Sequence, residues 1–103
     1  MCIRDRYKIG RSYEKLGEKK KAADHYLAVV YQYLVELEKG RQNGESWFTR
    51  SALAAGTLLE ELGEKGKALN IYKRMIEAGV PASEDIKDRI QKLEVEFLRQ
   101  NQE

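Results

Sequence analysis

The chain has 103 residues, of which 42% are hydrophobic and 35% charged, enough for one domain but small for a self-sufficient core. Its formal charge of +2 comes from interspersed Lys, Arg, Asp and Glu rather than from a basic block, which argues against a nucleic-acid partner or an anionic membrane surface. One cysteine, Cys2, excludes an internal disulfide, and with a single His25 elsewhere it makes no metal cluster.

No stretch has the apolar length of a membrane-spanning helix, and the opening residues lack the apolar core of a signal peptide. The compartment, cytoplasmic or bacterial periplasmic, is therefore left open. The first six residues, Met1-Cys2-Ile3-Arg4-Asp5-Arg6, read as the translation of a transposon adapter (ATG TGT ATA AGA GAC AG) used in shotgun library preparation. The expectation is that residues 1–6 are a processing scar, that native sequence begins near Tyr7 and that the chain is the C-terminal piece of something longer. The alternative is a slightly basic start to the first helix.

In chain order, a first helix is expected from Tyr7 to Leu16, stopped by Gly17, since glycine takes the left-handed conformation past a helix end without a Cβ penalty. A long second helix follows from Lys19 to about Lys39. Leu27, Val30, Leu34 and Leu37 mark one apolar stripe on it, and Tyr26, Val29 and Tyr33 a neighbouring one, so two of its faces are expected to be buried. Residues 40–44, Gly-Arg-Gln-Asn-Gly, form a polar loop.

The third helix is expected from Glu45 to Leu62, with Ser46 as its N-cap and Trp47 and Phe48 in its first turn, stapling the loop onto the second helix or anchoring a partner. Ala52, Ala54, Ala55 and Gly56 make its middle small, which suits close helix contact. A fourth helix runs from about Lys65 to Ala78 and ends at Gly79. After a break at Val80-Pro81, a fifth begins at Ser83, a capping hydroxyl followed by the acids Glu84 and Asp85. Its apolar residues Ile86, Ile90, Leu93 and Phe97 define one face, and Asp85 with Arg89 and Asp88 with Lys92 are expected as ion pairs on the other.

The sequence repeats. Leu16-Gly17-Glu18-Lys19-Lys20-Lys21-Ala22 returns as Leu62-Gly63-Glu64-Lys65-Gly66-Lys67-Ala68, and the same register sets Gly10 over Gly56 and Tyr26 over Tyr72. A repeat of this kind points to stacked helical hairpins in which small Gly and Ala residues face a large Tyr. The pattern resembles the tetratricopeptide repeat: Ile9-Gly10, Tyr13, Gly17, Ala22 and Tyr26 fall on that family's offsets in the first copy, and Gly56, Gly63, Ala68 and Tyr72 in the second. Departures are Arg6 and Ala52 at the early Trp position, Leu59 at the second Tyr position, Lys19 and Lys65 at the aromatic after the turn, and a closing Pro shifted to Pro81. The long second helix accounts for a spacing longer than the family's usual ~34 residues. The tyrosine-rich second helices and the run from Ala82 to Leu93 are similar to those of bacterial envelope proteins of the outer-membrane assembly and Tol-Pal coordinating types.

The resemblance implies an all-α fold, an α-solenoid of antiparallel hairpins: hairpin one over 7–39, loop 40–44, hairpin two over 45–79, and a C-terminal capping helix over 83–100 that covers the apolar face of the last hairpin. It also implies a protein–protein interaction scaffold whose groove is lined by the first helix of each hairpin. Its groove-facing offsets fall on Tyr7, Arg11, Glu14 and Lys15, then on Arg50, Leu53, Thr57, Glu60 and Glu61. This set is mixed in charge and suits a peptide or helix of mixed polarity better than a polyanion. The clamp that some members use for chaperone tails needs Asn on these helices, and neither helix has one.

Catalysis is not expected. His25 has no partner group at helical spacing, Glu60, Glu61 and Glu64 read as surface charge, and residues 63–67 lack the spacing of a phosphate loop. No catalytic residue, cofactor or metal is assigned. Two other roles stay open, self-association and service as the helical appendage of a longer enzyme or regulator.

Overall fold

The computed structural model describes residues 2–41, 44–80 and 83–101. These form five helices: α1 (Ile3–Lys15), α2 (Lys19–Glu38), α3 (Glu45–Glu61), α4 (Lys65–Glu77) and α5 (Ser83–Asn101), with no strand among the described residues. Each helix packs on the next, and α1 also touches α3. The smallest dimension of the molecule, 19 Å, is that of about two helix diameters. None of the described helices is long and apolar enough to cross a membrane.

The turns follow from glycine. Gly17, Gly40, Gly63 and Gly79 all have positive φ, between 73° and 81°. At each, the glycine N–H donates to a carbonyl three residues back and the next N–H to one five residues back: Gly17 to Glu14 and Glu18 to Tyr13, Gly63 to Glu60 and Glu64 to Leu59. This paired bond satisfies carbonyls that the helix end would otherwise leave without donors. After Gly79, Val80 is buried, which adds the apolar contact that commonly accompanies such a stop.

Four boundaries or contacts differ from expectation. α1 starts at Ile3, a turn before Tyr7, so residues 3–6 are helical. The N-cap of α3 is Gly44, in the left-handed conformation at φ 94°, and Ser46 lies inside the helix: a glycine ending the loop turns the chain two residues before the serine. On α5, Arg89 reaches across to Tyr72 instead of pairing with Asp85, and Asp88 and Lys92 form no ion pair with each other, while Lys87 pairs with Glu84 at 3.7 Å. Lys73 and Lys65 of α4 hold Glu94 and Glu96 of α5. The break at Pro81 and the capping side chain of Ser83 lie outside the described residues and side chains.

The core runs along the helices in two clusters, with half-buried Leu27 packed against both. Ala22, Ala23, Tyr26, Ala55 and Leu58 form its first cluster. Val30, Tyr33, Phe48, Ala52, Leu59, Ala68, Ile71, Tyr72 and Met75 form the second, extended by Ile86 and Leu93 of α5. α2 is buried on two faces, as an interior helix must be, with Tyr33 stacked on Phe48 of α3 at 4.4 Å between ring centroids. Leu27, Leu34 and Leu37 are half-buried at its edge, whereas Tyr31 and Val35 face solvent.

Candidate functional site

Both hairpins contain the same three-residue arrangement. Gly10 of α1 has no side chain, so the Tyr26 ring lies directly against the helix, where a Cβ at residue 10 would come within 2.8 Å of it. Gly56 and Tyr72 repeat the contact more tightly, with a Cβ at 2.4 Å. Each ring crosses beneath its helix and emerges one turn on, where its hydroxyl donates to a carboxylate: Tyr26 to Glu14 and Tyr72 to Glu60, both at 2.7 Å. Glycine and glutamate are four residues apart in each case, the spacing that puts them on one helix face.

Burial pushes the Tyr72 hydroxyl up to about 12, and its bond to Glu60 adds to the effect. Tyr26 is raised for the same two reasons, burial first and Glu14 second. Near neutral pH both hydroxyls therefore keep their protons and act as hydrogen-bond donors rather than as bases.

Arg89 of α5 closes the second arrangement. Its Nη1 donates to the Tyr72 hydroxyl at 2.9 Å and lies 3.5 Å from Thr57 Oγ1 and 4.0 Å from Glu60 Oε2. Its guanidinium also sits over the Tyr72 ring, 5.7 Å from the centroid. The first hairpin is tied to α3 by aromatic rings instead: Tyr26 meets Tyr7 at 5.7 Å, Tyr7 meets Trp47 at 5.2 Å, and Arg50 lies over Trp47 at 5.0 Å. These contacts join α1, α3 and α5 into one side of the molecule.

On that side the expected groove residues divide by what they touch. Arg11, Lys15 and Arg50 are exposed. Leu53 is 37% exposed and Thr57 is exposed beside Arg89. Tyr7 is half-buried between Tyr26 and Trp47, holding α1 to α3. Glu14 and Glu60 accept from the two tyrosines, and Glu61 pairs with Lys19 of α2 at 3.3 Å. Arg89 is not among the groove residues that the sequence implies, where it is expected only to pair with Asp85 on a capping helix. Its spacing to Thr57, Glu60 and Tyr72 exists only once α5 is docked. An open depression of about 650 Å³ continues from Arg89 along α5, lined by Asp88, Lys92, Val95, Glu96 and Arg99.

The remaining candidates are quiet. His25 is half-buried and stacked on the Tyr13 ring at 5.2 Å. Among the described residues, no three His, Cys, Asp or Glu side chains are placed to hold a metal ion. No family model matches the chain, and neither a curated protein nor a solved structure matches it.

Proposed function

We propose that the chain is a tetratricopeptide-type scaffold without catalysis of its own, which binds a peptide or helix of a partner protein along the side formed by α1, α3 and α5. The observation that carries this reading is the duplicated Gly10/Tyr26/Glu14 and Gly56/Tyr72/Glu60 arrangement. Two hairpins built on one plan present the same helix face twice, and the contacts through Tyr7 and Arg89 hold those faces and α5 in fixed register. A surface ordered in this way before binding loses less side-chain freedom when a partner docks. The buried tyrosines serve the scaffold, while exposed residues such as Arg11, Arg50 and Leu53 are free to meet a ligand.

The test is where a ligand lands. Peptides selected from a random display library against the folded chain are added to isotopically labelled protein, and backbone amide shifts are followed. Perturbations concentrated on α1, α3 and α5 support the reading; perturbations confined to α2 and α4, or a library that yields no binder, reject it.

A second reading, self-association, is favoured by Tyr31 and Val35, which stand 50% and 49% exposed on α2. Sedimentation that changes with concentration, and that Tyr31→Glu abolishes, would support it over peptide binding.

A further inference from the structure

We infer that the side formed by α1, α3 and α5 takes an acidic peptide segment, an inference that rests on the peptide-binding reading above and specifies its ligand. The argument is an inventory of which charges are already engaged. Glu14 accepts from Tyr26, Glu60 from Tyr72 with Arg89 close by, Glu61 pairs with Lys19, and Glu96 pairs with Lys65 at 3.2 Å. The acids on this side are thus largely spoken for within the fold.

The cations are not. Among the described residues, Arg11, Lys15, Lys92 and Arg99 have no ion pair, and Arg50 has only the Trp47 ring beneath it. Asp85 and Asp88, on one stripe of α5 and likewise without an ion pair among the described residues, and Glu14, whose bond is to a neutral hydroxyl, offset three of the five positive charges. Along the sequence the charges here balance; in the fold Glu60, Glu61 and Glu96 face Arg89, Lys19 and Lys65, so the unpaired cations outnumber the acids that remain. A partner carboxylate meeting an exposed Arg or Lys forms a charge-assisted bond that no internal group competes for.

The same surface argues for a peptide over a nucleic acid. Leu53 and Val95, 37% and 53% exposed, interleave with the cations and offer contacts to apolar side chains. The carboxylates of Glu14 and Glu60 lie on this face, where a continuous phosphate backbone would meet them. A peptide can place its acidic residues against Arg11, Arg50 and Lys92 and its apolar ones against Leu53 and Val95.

The experiment is to select a random dodecapeptide library on the immobilised chain at low ionic strength, and then to measure individual peptides by fluorescence anisotropy. Enrichment of net-negative peptides is expected, with affinity falling as salt rises. Binding should weaken about tenfold or more in the double variant Arg11→Glu/Arg50→Glu and stay unchanged in Lys39→Glu, at the far end of α2. Because Arg50 also rests on Trp47, the pair Lys15→Glu/Lys92→Glu, which disturbs no such contact, must show the same loss. Neutral or basic peptides that bind α1, α3 and α5 would overturn the inference while leaving the peptide-binding reading in place. Tighter binding of a single-stranded oligonucleotide than of any acidic peptide would overturn the inference, and a library without binders would overturn both.

Discussion

Gly56 lies so close beneath Tyr72 that a Cβ there would sit 2.4 Å from the ring carbon Cε1. A real Cβ cannot occupy that space, and the ring is held by its hydroxyl bonds to Glu60 and Arg89, so it cannot swing clear. Gly56→Ala should therefore destabilise the protein by about 1–3 kcal/mol through overpacking, reduced by the ~1 kcal/mol that alanine gains over glycine inside a helix. Gly10→Ala, at 2.8 Å from Tyr26, should act in the same direction and less. Gly66→Ala, where the nearest atom is Phe97 Cε2 at 3.4 Å, is the contrasting case and should stabilise by about 0.5–1 kcal/mol. Thermal melts by circular dichroism rank the three. A Gly56→Ala protein as stable as the parent would remove the close-approach argument for both hairpins.

The close approach was readable in the sequence because it is a matter of size. A glycine in a helix facing a tyrosine in the next, repeated in register, leaves few other geometries. The same holds for the turns, where Gly17 and Gly63 each stop a helix at a positive φ. Polar partners were not readable, because they are set by docking. Along α1 and α3 Glu14 and Glu60 read as free surface carboxylates, and the tyrosine hydroxyls, with Arg89 beside Glu60, engage them once the helices are packed. Arg89 was assigned to a neighbour on its own helix, yet a partly desolvated tyrosine hydroxyl beside a carboxylate is a better partner than an exposed aspartate. The N-cap of α3 is not legible in the sequence, because the fitness of Ser46 is a local signal, whereas the position of Gly44 depends on where the loop returns.

Ser51 of α3 is fully buried, and its hydroxyl has no hydrogen-bond partner among the described residues. An unsatisfied buried hydroxyl carries a desolvation penalty, and alanine is the better helix former. Ser51→Ala should raise stability by about 1 kcal/mol, which in a domain of this size moves Tm by roughly 4–8 °C. Urea unfolding with an unchanged m-value would attribute the gain to the folded state. A lower midpoint would mean that the hydroxyl has a partner the geometry does not reveal.

Stability should fall at alkaline pH in a way that the buried tyrosines Tyr26, Tyr33 and Tyr72, all raised first by burial, account for. Tyr72 is raised from 10.0 to about 12 by burial and by Glu60, and Tyr26 is raised in the same direction. Between those values the folded chain keeps the Tyr72 proton while the unfolded chain has released it. The folded state then binds more protons, and stability decreases as pH rises from about 10 towards 12. Tyr72→Phe should cost about 1 kcal/mol at neutral pH, from the lost bonds to Glu60 and Arg89. The same variant should make the alkaline decline shallower, since one proton fewer is linked to unfolding. Denaturant unfolding at a series of pH values measures both slopes, and parallel declines in parent and variant would contradict the assignment.

Ala68 is fully buried at the start of α4, in the same core cluster as Leu59, Ile71, Tyr72 and Met75. Ala68→Glu would force a carboxylate into that apolar contact, at a cost of several kcal/mol. A domain of this size has about 5–15 kcal/mol of total stability, so the substitution should unfold the second hairpin and, with it, the docking of α5. Asn70→Glu, two residues on and exposed, adds the same charge to the same helix and should be nearly silent. The comparison isolates position from chemistry. Loss of helicity and of the cooperative melt in Ala68→Glu alone is the expected result, whereas equal melts for both variants would mean that α4 does not pack through Ala68.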